Sequence, residues 1–365
     1  MDRVVYLLGA GASFGLRDLE KQKTKFERIR PGDAGTVIRE NRYCSAIIEG
    51  LPIVSELPDR MDYVCSELYR KAVSVPLGNS SRSNLMKLML DLDWVQKESS
   101  CHSTIDTFAK KLWLQKKDAD YERLKRTISA YFLLEQVENE VDKRYDSFFA
   151  SILGRDVSDF PLNISILSWN YDCQLELAYS RFIDQLNIDE IEQSLQFSHK
   201  TLGSGSRPCE GFNVVKLNGS AVFWDKTSSQ IVNPFQVLSG EDYRYKGVDA
   251  RDTVASIYAD AKNNVNALSF AWEKADERFT KRIRESVKDA TILLVIGYSF
   301  PFFNRAIDRL IFGSLPYLRK VYIQDRDPDG IEESVVNLLN YSGRADKVKR
   351  VKLYNTQQFY LPPEL

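Results

Sequence analysis

Val4-Val5-Tyr6-Leu7-Leu8-Gly9-Ala10-Gly11-Ala12-Ser13 decides the fold class of this chain. An unbroken apolar run without polar alternation reads as a strand buried on both faces, as in a parallel sheet covered by helices. The small residues that follow read as a tight exit turn. The pattern recurs at Ile164-Ser165-Ile166-Leu167, Val214-Val215-Lys216-Leu217, Thr291–Ile296 and Lys320–Ile323. These runs end in Ser168-Trp169-Asn170, Asn218-Gly219-Ser220, Gly297-Tyr298-Ser299 and Gln324-Asp325. Helical patterns follow several of them, at Asp172–Leu186 and Arg305–Phe312. Strands alternating with helices predict an α/β protein with a Rossmann-like parallel sheet. In such sheets ligands bind beyond the carboxyl ends of the strands, where all these polar clusters fall.

Between the first two strands lies a mostly helical stretch, about Pro58 to Leu153, with helix-like spacing at Leu85–Leu90, Ile105–Leu114 and Tyr121–Val141. The expected organisation is a single domain over 1–365. Its Rossmann-like frame covers about 1–58 and 160–330, with a large helical insertion at about 59–155 and a C-terminal extension at 331–365. Arg17–Arg39, with Lys21, Lys23, Lys25, Arg28 and Arg30, reads as a solvated charged loop or as a phosphate or nucleic-acid contact. Ser204–Pro208 and Thr227–Gln230 read as surface loops.

Composition narrows the function. The 365 residues carry 50 basic and 51 acidic side chains, a net charge of −1, which argues against a generally basic nucleic-acid binder. With 43% hydrophobic and 28% charged residues the chain can bury a full core. The five cysteines form no C-x-x-C pair, so neither a zinc ribbon nor a disulfide scaffold is expected. Reduced thiols in the cytoplasm are the simplest reading. Val4–Ala12 is too short, and too interrupted by glycine, for a signal peptide. No stretch approaches the roughly 20 apolar residues of a membrane span. Only two histidines, His102 and His199, leave no His-rich metal centre.

Gly9-x-Gly11-x-Ser13 after a strand suits a phosphate cradle, in which glycines admit the pyrophosphate and the next helix offers free N–H donors. Phe14 stands where a dinucleotide fingerprint has its third glycine, and Gly15 comes one residue late. Asp33 lies near the distance of a ribose-binding acid, but no apolar strand leads into it. In Ser168-Trp169-Asn170-Tyr171-Asp172, Asn170 can bind ribose hydroxyls or hold a water. Asp172 equally suits a helix N-cap. Lys216–Ser220 and Gly297–Phe300 suit either a ligand site or plain turns. His199 reads as a surface or loop histidine, and His102 as part of a helix N-terminus before Ser103-Thr104-Ile105-Asp106.

In this order the clusters resemble the sirtuin superfamily, and most closely the sirtuin-like NAD-hydrolase domains of prokaryotic antiviral defence systems. Gly9, Gly11 and Ser13 match its glycine motif, Ser168–Asp172 its Thr-Gln-Asn-Ile-Asp segment, and Gly297-Tyr298-Ser299 its late Gly-x-Ser. Gly50-Leu51-Pro52 through Leu57-Pro58 is similar to the branch's proline-containing loop. The resemblance implies an NAD hydrolase that cleaves NAD to nicotinamide and ADP-ribose and depletes the cell of it. It assigns catalysis to Asn170, Asp172 and Asn218. Cofactor binding falls to Gly9, Ala10, Gly11, Ser13, Ser168, Gly219, Gly297, Ser299 and Asp325, with Gln324 beside them. Trp169 and Trp224 would wall the nicotinamide pocket, or serve as core aromatics. The four-cysteine zinc module of the deacetylases has no counterpart, so no metal is expected.

The family's His-Gly is Asn218-Gly219 in this chain. Asparagine cannot take up a proton near neutral pH, and a lost acid/base group costs roughly 10²–10⁴ in rate. The nicotinamide–ribose bond already carries a cationic leaving group, so cleavage through an oxocarbenium-like state survives that loss if the site supplies orientation and negative charge. The resemblance further implies a homo-oligomer and a separately encoded HerA-type ATPase or helicase, through which any DNA contact would run, and no membrane partner. Two other readings stay open. One is a catalytically weak NAD- or ADP-ribose-binding scaffold. The other is a nuclease acting with a partner ATPase through Asp172, Glu176 and Asp308.

Overall fold

The computed structural model describes residues 2–15, 51–52, 56–74, 78–138, 141–183, 187–201, 203–204, 211–232, 235 and 250–365. All of the charged segment 17–39, with Asp33, and most of the 204–208 loop lie outside them, as does Gly50. The chain opens with β1 (Val4–Leu8), then α1 (Leu57–Ser74), α2 (Asn79–Ser100), α3 (Ile105–Leu114), α4 (Asp118–Glu138) and α5 (Lys143–Ile152). There follow β2 (Ile164–Ser168), α6 (Gln174–Ile183), α7 (Ile188–Ser194), β3 (Phe197–His199), β4 (Gly203–Ser204) and β5 (Asn213–Lys216). Next come β6 (Gly219–Asp225), β7 (Gln230–Val232), α8 (Ala250–Ala259), β8 (Asn264–Leu268), α9 (Glu277–Val287) and β9 (Ile292–Ile296). The last elements are α10 (Arg305–Gly313), β10 (Lys320–Gln324), α11 (Pro328–Tyr341) and β11 (Lys349–Leu353).

Two compact units share the chain. The first comprises Met1–Ser13, Lys143–Ser220 and Leu268–Leu365, and it holds an eight-stranded sheet in the order β11-β10-β9-β1-β2-β5-β3-β4. Every pairing in it is parallel except that of the short β4 with β3. This is the α/β Rossmann-like architecture that the apolar runs predict. All five residues of β1, of β2 and of β9 are buried, which is why their sequences show no polar alternation. Beyond residue 330, β11 pairs in parallel with β10 and extends the sheet. From β1 the chain builds toward β2 on one side and later toward β9 on the other, so the strand order reverses at β1. Ligand sites of open α/β sheets form at such reversals, beyond the strand ends.

Register lines up one row across the sheet: Gln324, Ile296, Leu8, Ser168, Lys216 and His199 are successive partners at or near the carboxyl ends. Ser168, Lys216, His199 and Gln324 are buried polar residues in that row. Such groups need hydrogen-bond partners, and they find them in the turns just beyond the sheet. Gln324 donates to the carbonyls of Asn355 and Gln358, both at 2.6 Å, and accepts from Tyr360 N at 3.0 Å.

The second unit, Phe14–Asp142 and Ala221–Ala267, contains α1 to α4, α8 and a three-stranded sheet, β7-β6-β8. Within α1 and α4, Arg60 and Glu135 form an ion pair with side chains 4% and 3% exposed, and Tyr131 donates to Glu135 at 2.8 Å. Asp91 on α2 pairs with Arg123 on α4 and accepts from Tyr258 on α8 at 2.5 Å. His102 stacks on Phe108 at 5.6 Å, beside the α3 N-cap Thr104, whose side chain accepts from Thr107 N. Among the described residues no helix is long and apolar enough to cross a membrane. Breaking a buried ion pair leaves a charge without its counterion, at a cost of about 3–5 kcal/mol. Arg60→Ala is therefore expected to lower the unfolding free energy by about that amount, measured by urea titration, whereas the exposed Lys97→Ala (paired with Asp93) is expected to leave the urea midpoint nearly unchanged.

Candidate functional site

The site lies in the first unit and begins where β1 ends. Gly9 N donates to Ile296 O at 3.0 Å and Gly11 N to Gly297 O at 2.9 Å, so the glycine turn is bonded to the turn that leaves β9. A Cβ on Gly9 would stand 2.5 Å from Gly297 O, and one on Gly11 would stand 2.7 Å from Gly297 Cα. Gly297 is in the left-handed region, φ +60°, and a Cβ there would meet Ala12 N at 2.4 Å. The three glycines thus let two main chains touch. Three amides of the expected cradle are therefore already bonded within the protein. The amides of Gly9 and Gly11 serve the neighbouring turn, Ala12 N donates to Gly9 O at 2.9 Å, and Ala10–Ser13 is a short 3-10 turn.

Helix α5 grips the same turn by two consecutive residues. Arg144, 4% exposed, donates to the carbonyls of Gly11 at 3.2 Å and Ala12 at 3.0 Å. The Tyr145 hydroxyl and Ser13 Oγ are hydrogen-bonded at 2.9 Å. Ser13 Oγ also accepts from Asn170 Nδ2 at 3.0 Å, and Asn170 N donates to Ser168 Oγ at 3.2 Å. Neither Arg144 nor Tyr145 was singled out by sequence. Their only local signal is the pattern of a helix, and their partners lie more than a hundred residues away.

Beyond β2, the Asp172 carboxylate accepts from Gln174 N at 3.1 Å and so braces the start of α6 from one residue before the N-cap position, which Cys173 holds. The Asp172 carbonyl accepts from the Lys216 ammonium, which also faces Glu176 at 3.4 Å. Lys216 and Glu176 side chains are 1% and 0% exposed. Burial pulls the Lys216 ammonium down, but Glu176, Asp172 and Glu192 outweigh it and hold the group above its usual value. Burial pushes the Glu176 carboxyl up, with Lys216 opposing.

Beyond β5, Asn218 is 7% exposed. Its Nδ2 makes a long contact with Trp169 O at 3.5 Å, and its main-chain carbonyl accepts from Ser269 N at 2.8 Å. Its Oδ1 is buried with no hydrogen-bond partner among the described residues. The carbonyl beside Nδ2 demands a donor there, which fixes the amide orientation and leaves the acceptor unmatched. Gly219 follows at φ +69°. His199 is not a surface residue, because β3 buries it to 4% exposure against β5. Its Nε2 is 2.8 Å from Glu192 Oε2, and its Nδ1 is 3.4 Å from Ser220 Oγ.

Beyond β9, Tyr298 stacks on Trp169 at 5.8 Å and 17°, and its hydroxyl reaches both oxygens of Asp308 at 2.9 and 3.0 Å. Asn304 Nδ2 donates to the same hydroxyl at 3.0 Å. Trp169 is buried in this stack, while Trp224 belongs to β6 of the second unit, opposite Ile231. Ser299 is exposed and Asp325 is half-buried, its carboxylate accepting from Asp327 N at 3.0 Å. Gln324 is committed to residues 355–360. Of the three carboxylates in the nuclease reading, Asp172 and Glu176 share the Lys216 cluster, while Asp308 sits with Tyr298. Among the described residues no group of three or more His, Cys, Asp or Glu is placed to hold a metal ion.

Hydrogen bonds therefore tie the turns after β1, β2, β5 and β9 into one structure: Ser13 to Asn170, Trp169 to Asn218, Asp172 to Lys216, and Gly11 to Gly297. Two consequences are measurable. Gly297→Ala forces a side chain into backbone and is expected to destabilise the protein by about 3 kcal/mol or more, read as a lowered Tm. Burial raises the Asp308 carboxyl to about 8, the Tyr298 hydrogen bond opposing, against an ordinary 3.8. The folded protein thus keeps this proton across a range in which the unfolded chain has lost it, so stability falls as pH rises from about 4 to about 8. Asp308→Asn is expected to raise Tm relative to the parent at pH 8 and to lose that advantage by pH 4, in melts across the range. Comparison with known protein families and with characterised proteins finds no match to this chain.

Proposed function

We propose that this protein is an NAD hydrolase of the sirtuin-like kind, releasing nicotinamide and ADP-ribose from NAD and water. One observation carries this reading more than any other. Asn170 and Asn218 each stand two residues past the register partners Ser168 and Lys216, beyond the carboxyl ends of β2 and β5; both are buried, and Asn218 Oδ1 has no partner among the described residues. A buried acceptor left unmatched costs about 1–3 kcal/mol, and a ribose hydroxyl is a donor of the right chemistry to recover it. The site stands beside the strand-order reversal, where nucleotides bind in open α/β sheets.

On this reading Asn218 accepts from a ribose hydroxyl, and Asn170, held by Ser13, orients the ribose or the attacking water. The N-glycosidic bond breaks with its electron pair leaving on neutral nicotinamide. Water then adds to the sugar cation and gives up a proton. The Asp172 carboxylate supplies negative charge near that cation. Gly219, Ser168, Ala10 and Ser299 frame the cofactor, and Asp325 takes the adenosine-side ribose. The glycine turn contributes its shape, its Gly9, Gly11 and Ala12 amides being bonded within the protein. An oligomer and a HerA-type ATPase partner in an antiviral system belong to the same proposal, on the resemblance alone.

The absence of a protonatable group at position 218 favours one second reading, binding of NAD or ADP-ribose without turnover. Nicotinamide release by the purified chain, alone and with its partner ATPase, separates the two. Hydrolysis is expected, reduced at least about 100-fold in Asn170→Ala and in Asp172→Ala, and raised about 100-fold in Asn218→His. Tight NAD binding with no release under any condition would establish the second reading instead.

A further inference from the structure

We propose that His199 is a positioning residue that sets the Asn218 turn through Ser220, an inference that rests on the hydrolase reading above. Asn218 is weakly held by its own side chain, whose one contact spans 3.5 Å. Upstream the turn is anchored by Leu217 N on Ser168 O at 2.8 Å, and at its centre by Ser269 N on Asn218 O. Downstream, past the left-handed Gly219, the side-chain anchor is Ser220 Oγ on His199 Nδ1. His199 Nε2 lies 2.8 Å from Glu192 Oε2, which turns Nδ1, at 3.4 Å, to the serine hydroxyl. The order Glu192–His199–Ser220 thus holds ring and hydroxyl in turn.

Acid, imidazole and serine in this order would also suit an activated nucleophile. Ser220 is 0% exposed, however, so its hydroxyl reaches no substrate, and what the chain of contacts delivers is position. The same assembly bears on Asp172. His199 and Lys216 are register partners on β3 and β5, and Glu192 acts on the Lys216–Glu176 pair as well as on His199. Lys216 holds the Asp172 carbonyl. One buried group of side chains therefore joins the turn that carries Asp172 to the turn that carries Asn218.

The test compares His199→Ala, His199→Gln and Ser220→Ala with the parent by three measurements: Tm, amide hydrogen exchange over residues 217–222 without NAD, and steady-state nicotinamide release. Glutamine keeps a donor for Glu192 but offers Ser220 no second ring nitrogen to meet. His199→Gln is therefore expected to restore the Tm lost in His199→Ala while keeping a KM for NAD raised about tenfold, with kcat within about threefold. Ser220→Ala is expected to show the same KM increase at nearly parental Tm, and exchange at 217–222 is expected to quicken in all three. Recovery of KM together with Tm in His199→Gln would reduce His199 to a structural residue and overturn the proposal, as would unchanged KM and exchange in Ser220→Ala. If the parent releases no nicotinamide, the hydrolase reading fails by itself. The exchange comparison then upholds or overturns the positioning role without it.

Discussion

Two main chains meet without side chains between them where β1 and β9 end, and the rest of the site is arranged around that contact. Gly9, Gly11 and Gly297 are fixed by it, since a methyl group on any of them would lie within 2.4–2.7 Å of backbone. The contact holds the glycine turn against β9 and turns the carbonyls of Gly11 and Ala12 toward Arg144. It also places Ser13 where Asn170 can reach it. From Asn170 the chain of dependence runs through the β2 turn to Lys216 and Asn218.

The last polar row of the sheet explains why these turns have fixed shapes. Loops beyond a parallel sheet are free to wander unless something in the sheet holds them. Ser168 holds its own turn through Asn170 N, Lys216 holds the β2 turn through Asp172 O, His199 meets Ser220, and Gln324 ties down residues 355–360. Each is buried, so each would be left with an unmet polar group if its turn moved away. The sheet thereby specifies the geometry of residues that do not belong to it.

The strands were legible because burial on both faces erases alternation, and the runs at Val4, Ile164, Thr291 and Lys320 have no other simple reading. The candidate site was legible in its residues and not in its contacts. Asn170, Asp172 and Asn218 announce themselves as polar residues at strand ends, whereas Arg144 is one arginine in a helix until the fold sets it on Gly11. His199 was misread because β3 is three residues long, Phe197-Ser198-His199, and its burial comes from a parallel neighbour that is adjacent only in space. Glycines permit close approach, and here Gly9, Gly11 and Gly297 admit one another's main chain. Conformational permissiveness is visible in sequence, but the object it makes room for is not.

The tie between Gln324 and the segment 355–360 has a bearing on how the protein is made. Tyr6, in the middle of β1, donates to the carbonyl of Tyr360 across 354 residues, and both neighbours of β1 are likewise distant in sequence. β1 is made before every one of these partners, and Tyr360 follows Tyr6 by 354 residues. Loop-closure entropy must be met before those contacts give any return, which slows folding and keeps apolar strands uncovered meanwhile. Until those segments have been made, Val4–Leu8 lacks the neighbours that bury it, and an apolar strand left without them is open to chaperones and to wrong pairings.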